Sequence, residues 1–167
     1  MNSFSNPESL RDQAGVPFDE EIQQLPPEEF ESVSESVDSH AVVGITNEDG
    51  DVLLMDDGSH GWTLIAFPVE RGQDWPTVAR EEAQTLLDTS VVLEQPELVR
   101  RIDFLPVNDD NRRTTMYNVV FRASVDETID TEELDQQNDE PLLRWFERVP
   151  DEQEGEVADD IRIFVGN

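Results

Sequence analysis

Apolar and polar residues alternate most regularly between Arg113 and Ala123. Thr115, Tyr117, Val119, Phe121 and Ala123 share one side, and Met116, Asn118, Val120 and Arg122 the other. A period of two predicts a strand. Two shorter runs lie upstream, Ala41-Val42-Val43-Gly44-Ile45-Thr46 and Asp51-Val52-Leu53-Leu54-Met55, with Asn47-Glu48-Asp49-Gly50 between them. Their spacing predicts a hairpin whose turn places Gly50 at positive φ. Apolar residues on both sides of each run predict a central pair covered on both faces. A further strand enters at Trp62, and a loop with an acidic residue, Gly72 and a second polar group follows. The period then changes: Trp75, Val78, Ala79, Leu86 and Leu87 have helical spacing and form the expected buried stripe.

Downstream, Val91-Val92-Leu93 reads as a short strand interrupted by Gln95-Pro96-Glu97. Leu98 to Leu105 reads as the next, with Ile102 and Phe104 alternating against Arg101 and Asp103. Leu142 to Pro150 is the last strand and its exit. Val157, Ile161 and Val165 then mark one edge of a closing helix from about Glu152 to Phe164, its start weakened by Gly155. The pattern amounts to roughly six strands and two helices, an α+β fold with a mixed sheet covered by helices on both sides.

Residues 1–38 are acidic and proline-bearing, and are expected to form a partly flexible leader before a domain at 39–167. Short helical turns are expected at Pro7–Gln13 and Pro27–Val33, with Phe18, Ile22, Leu25 and Phe30 able to dock on the domain. Asp126 to Glu140 holds eight acidic residues and few apolar ones, which reads as a solvated loop or, alternatively, a partner-binding acidic segment. His40 and His60 read as a strand-start and a loop residue.

Charge changes the picture most. The 167 residues include 40 acidic and 11 basic ones, for a formal net charge of −29, and every basic residue is an arginine. An acid-rich, lysine-free chain of modest apolar content fits molar salt, where a screening length of about 3 Å suppresses self-repulsion. No basic patch exists to meet a nucleic-acid backbone. Cysteine is absent, which excludes disulfides and thiolate metal sites. No apolar run approaches the ~20 residues a membrane helix needs, and Met1-Asn2-Ser3-Phe4 lacks the basic start of a signal peptide. A cytoplasmic protein is expected; the oligomeric state is left open.

The stretch from Trp62 to Thr89 resembles the Nudix box, the strand-loop-helix of enzymes that hydrolyse nucleoside diphosphates linked to another group. Laid on without gaps, Glu70 matches the common acidic residue and Gly72 the loop glycine. Phe67 stands at the first box glycine, Gln73 at the first glutamate and Glu81-Glu82 at the Arg-Glu pair. The final glutamate pair falls on Thr85-Leu86 and the closing glycine on Asp88. The resemblance covers about residues 40 to 165, including the Phe-x-Ala end of the long strand, and implies a Nudix-like α/β/α sandwich.

The family's box helix presents carboxylates at i, i+3 and i+4 on one face, where they hold Mg²⁺ or Mn²⁺. This helix offers Glu82, Thr85 and Leu86 there, so one carboxylate of three survives. If the chain is an active hydrolase, the resemblance implies Glu82 and Glu81 as catalytic residues, with Glu82, Glu81 and Glu70 on Mg²⁺ or Mn²⁺. Arg112, Arg113 or Arg144 would meet phosphate, and Trp62, Phe67 or Trp145 would stack on a base. The same residues also fit a weakened or lost hydrolase, or a non-catalytic module that binds a nucleotide or a protein. Ligands relocated to Glu94, Asp88 or the acidic loop are a third reading. Glu81-Glu82 equally suit a solvated helix face.

Overall fold

The computed structural model describes residues 7–10, 16–36, 39–56, 61–70, 72–108, 111–125 and 142–165. His60 and the acidic stretch 126–140 lie outside them. Among the described residues the strands are β1 (Phe18–Leu25), β2 (Ser39–Ile45), β3 (Val52–Asp56), β4 (Thr63–Val69), β5 (Val91–Pro106), β6 (Thr114–Val125) and β7 (Leu142–Phe146). The helices are α1 (Pro27–Ser36), α2 (Trp75–Leu87) and α3 (Glu156–Val165). The strands form one seven-stranded sheet in the order β1-β5-β6-β2-β4-β3-β7. β1 runs parallel to β5 and β2 parallel to β6, while the other neighbours are antiparallel. This is the mixed sheet of the expected α+β class.

The strand periodicity sorts the core into layers. Ala41, Val43, Ile65, Val119 and Phe121 pack under α2, whose inward side is Trp75, Ala79, Ala83 and Leu87. On the opposite face Val42, Leu64 and Val120 pack under Ile161 and Phe164 of α3, while Ile102 and Phe104 pack under Phe30 of α1. Helices therefore cover both faces.

The expected hairpin forms only at its tip. Gly50 N donates to Asn47 O at 3.1 Å, and Gly50 has φ of +85°. Beyond a single bridge between Thr46 and Val52 the two strands part, and β4 lies between them. Both runs are buried on both faces, so each needs a strand neighbour on either side: β2 takes β4 and β6, β3 takes β4 and β7. The expected break at Gln95-Pro96-Glu97 is also absent as a break. β5 continues through it with register shifts at Leu93/Gln95 and Pro96/Leu98, because a bulge lets a strand hold a proline that donates nothing to the ladder.

The N-terminal stretch supplies a strand that the pattern did not announce. Phe18, Ile22 and Leu25 are spaced by four and three, not two. As an edge strand β1 needs only one partner, and Ile22 stays 68% exposed. Upstream, the 3-10 turn Pro7–Leu10 sits on the α2 face with Leu10 only 2% exposed. Tyr117 Oη donates to Glu8 Oε2 at 2.7 Å, and Arg101 Nη1 reaches the same oxygen at 3.3 Å. Arg101 Nε and Thr115 Oγ1 both donate to Asp103, at 3.2 and 2.6 Å.

Burial first, and then the Glu8 hydrogen bond, push the Tyr117 hydroxyl up to about 12. The raised value means that the neutral phenol stabilises the fold. That contribution is full below about pH 10, the ordinary tyrosine value, and is lost as pH rises through about 12. Tyr117 is the single tyrosine of the chain, so tyrosinate absorbance reports it directly. The expected midpoint is about 12; a midpoint near the ordinary value of about 10 would show that this contact does not form.

Glu81, Glu82, Glu28, Glu29 and many other carboxylates are exposed. The ion pairs among described residues include surface ones such as Arg112–Glu31 and Arg162–Asp159. Like-charge repulsion should therefore dominate in dilute buffer. We expect the melting temperature to climb steadily from about 0.1 M to about 1 M KCl, as the screening length falls from about 10 to about 3 Å. A flat melting temperature over that range would contradict this reading of the charge.

Candidate functional site

β4, its loop and α2 follow one another directly. The loop closes on itself: Gln73 Oε1 accepts from Glu70 N at 2.7 Å, and Gln73 N donates to Glu70 O at 3.1 Å. Gly72 sits within it at φ +87° and Glu70 is exposed. Asp74 caps α2, its carboxylate accepting from Thr77 N at 3.0 Å. Pro76 suits the first turn, which needs no amide donor. At the far end Asp88 adopts the left-handed conformation, φ 52° and ψ 40°. A helix C-terminus ordinarily places glycine there, and the box pattern has its closing glycine at this position.

Glu81 and Glu82 are both exposed on α2. Adjacent helix residues point about 100° apart, so the two do not converge. Thr85 turns its hydroxyl back to Glu81 O at 3.0 Å, and Leu86 packs against the core. Gln73 is held in the loop. Among the described residues no group of three histidines or carboxylates is placed to share a metal ion. A hard divalent cation needs several oxygen ligands, and these residues do not fit one in the box helix arrangement.

The other candidate residues are dispersed. Phe67 and Trp145 lie on the α2 face. Trp62 lies on the opposite face against Phe146, ring centroids 5.1 Å apart. Trp145 also borders a groove of about 600 Å³ with Arg148 and Asp51. Arg112 pairs with Glu31 at 3.7 Å and stacks over Phe30, on the side of α1. Arg113 is exposed. Arg144 Nη1 donates to Leu143 O at 2.6 Å.

A cavity of about 480 Å³ opens on the face opposite α2, between the sheet and α3. Val42, Ala66, Met116 and Asn118 line it from the strands, Val157 and Asp160 from α3, and His40 from the start of β2. The volume lies within the range of small-molecule sites. Asp160 is fixed by a two-fold contact with Arg100, Oδ1 to Nη2 at 2.9 Å and Oδ2 to Nη1 at 3.1 Å. Asn118 Oδ1 is closed to solvent and has no hydrogen-bond partner, a condition that costs about 1–3 kcal/mol. The sequence signal for this site was the amide itself, a polar side chain in the middle of an otherwise apolar stretch of β6. Asp160 gave none, because an acidic residue on a helix of so acidic a chain is unremarked.

The solved structure of UDP-X diphosphatase superposes on this chain with a TM-score of 0.51 at 16% identity, covering 85% of this chain and 72% of that one. The chain has a Nudix-like fold. Weaker similarities reach the Escherichia coli dihydroneopterin triphosphate pyrophosphohydrolase (TM-score 0.45, 15% identity, 77% and 95% covered) and the Caenorhabditis elegans Ap4A hydrolase (0.40, 11%, 79% and 89%). No family model matches the sequence, and no curated protein matches it. At such identities the likeness concerns the Nudix-like backbone and leaves the chemistry to the side chains. No helix among the described residues is long and apolar enough to cross a membrane.

Proposed function

We propose that this chain is a Nudix-like module that binds a nucleoside diphosphate derivative, and that its capacity to cleave the pyrophosphate is weak or lost. The observation that carries this is the outer side of α2. Where a metal-holding face would present converging carboxylates, it presents Glu81 and Glu82 splayed apart, a hydroxyl bonded to its own helix and a leucine packed inward. The cavity between sheet and α3 supports binding, since its volume and mixed apolar and polar lining suit a small molecule. The acid-rich, lysine-free composition supports a cytoplasmic setting of high salt.

The second reading is a working hydrolase, favoured by the intact strand-loop-helix and by the left-handed Asp88 at the box's closing position. Under it Glu82, Glu81 and Glu70 would hold Mg²⁺ or Mn²⁺, and the exposed Arg113 would meet phosphate.

Calorimetric titration with a panel of nucleoside diphosphates and ADP-ribose, in molar KCl, tests the proposal. Binding of at least one ligand without measurable phosphate release is expected. Absence of binding across the panel would sink the binding module. Release at an ordinary enzymatic rate of about 1 s⁻¹ or more would decide for the hydrolase.

A further inference from the structure

The lining of the cavity, on the reading that this is the nucleotide site, decides which ligand it selects. Four polar side chains line it: His40, Thr63, Asn118 and Asp160. Thr63 already donates its hydroxyl to Leu64 O at 3.1 Å. Asp160 is the one carboxylate at the wall, so a phosphate group is repelled from the interior and is left outside. The apolar part of the lining suits an uncharged ring.

Strand register brings the polar groups together. Arg100 of β5 stands opposite Asn118 of β6, and Asn118 stands opposite His40 of β2. Arg100 also clamps Asp160 above that row. The clamp uses one lone pair on each carboxylate oxygen, and each oxygen keeps another. Asn118 Oδ1 lacks a donor altogether and is closed to solvent where it stands, so the side chain has to turn within the cavity it lines before that oxygen meets a ligand. The cavity wall thus carries two acceptors, Asn118 Oδ1 on the sheet side and the Asp160 carboxylate on α3.

We propose that the cavity selects a heterocycle bearing two adjacent N–H donors, which among the common bases is guanine, with Asn118 Oδ1 and the Asp160 carboxylate as its acceptors. The ring N–H and the exocyclic amino group of guanine each find one acceptor. Adenine and cytosine place a ring-nitrogen lone pair beside their amino group, so one acceptor faces a lone pair. Uracil brings a single N–H flanked by carbonyls.

The test varies the ligand on the unaltered protein. GDP, IDP, ADP and UDP are titrated calorimetrically in molar KCl. GDP should bind roughly tenfold more tightly than IDP, which lacks only the amino group, by the value of one hydrogen bond. ADP and UDP should bind more weakly than GDP. Equal affinity for GDP and IDP, or a preference for ADP or UDP, overturns the guanine assignment while leaving nucleotide binding in place. Binding of none overturns both. In a second arm, Asn118→Leu removes the partnerless oxygen at similar volume, so its melting temperature should hold while the preference for GDP over IDP and ADP collapses. A preserved preference removes Asn118 from the site.

Discussion

Replacing Gly44 by alanine should lower the melting temperature by roughly 6–12 °C, as expected of about 3 kcal/mol lost in a domain of this size. Gly44 lies in β2, in the centre of the sheet, on the face turned to α3. A Cβ built there stands only 2.1–2.4 Å from three carbons of the Phe164 ring. Phe164 is itself held: the guanidinium of Arg122, the cross-strand neighbour of Gly44, lies over its ring at 4.8 Å from the centroid and is tied to Glu97 at 2.7 Å. The ring therefore has little freedom to retreat, and both backbones would have to move. The informative comparison is the double variant Gly44→Ala with Phe164→Leu, whose smaller side chain gives the new methyl room. The two changes should be strongly non-additive, the second recovering part of the first. A Gly44→Ala protein that melts like the parent would mean that α3 does not seat Phe164 on β2.

Arg100→Met should be comparably costly, about 3–5 kcal/mol, because it strands a charge whose partner is gone. Arg100 is 8% exposed within the sheet, and the Asp160 side chain is 15% exposed on α3. The pair joins helix to sheet across the cavity. Pairing Arg100→Met with Asp160→Leu should recover most of the loss, since a buried ion pair is worth little more than apolar residues of similar volume. Urea denaturation of the parent, the single and the double variants measures this. A double variant no more stable than the single one would show that the two groups do not depend on each other.

The two changes bear on how far the chain could be read in advance. β6 and α2 were legible because a period of two and a period near four leave unambiguous traces at Thr115–Ala123 and Trp75–Leu87. The pairing of β2 and β3 was not, because a turn at Asn47–Gly50 says that the chain reverses but not that β4 will insert between the strands. β1 escaped notice since an edge strand with one exposed side need not alternate. At the box, the mismatches at Gln73, Thr85 and Leu86 were visible as letters, and the structure adds what those side chains do instead: loop closure, a backbone hydrogen bond and core packing. The α3 cavity was out of reach, because His40, Asn118 and Asp160 are far apart in the chain and meet only through register and helix docking.

Manganese titration of the intact protein, followed by calorimetry in molar KCl and paired with the variant Glu82→Gln, tests the loss of the metal cage most directly. The expected result is no saturable binding assignable to α2, with Glu82→Gln indistinguishable from the parent. A saturable site that disappears in Glu82→Gln, together with Mn²⁺-dependent phosphate release, would contradict it.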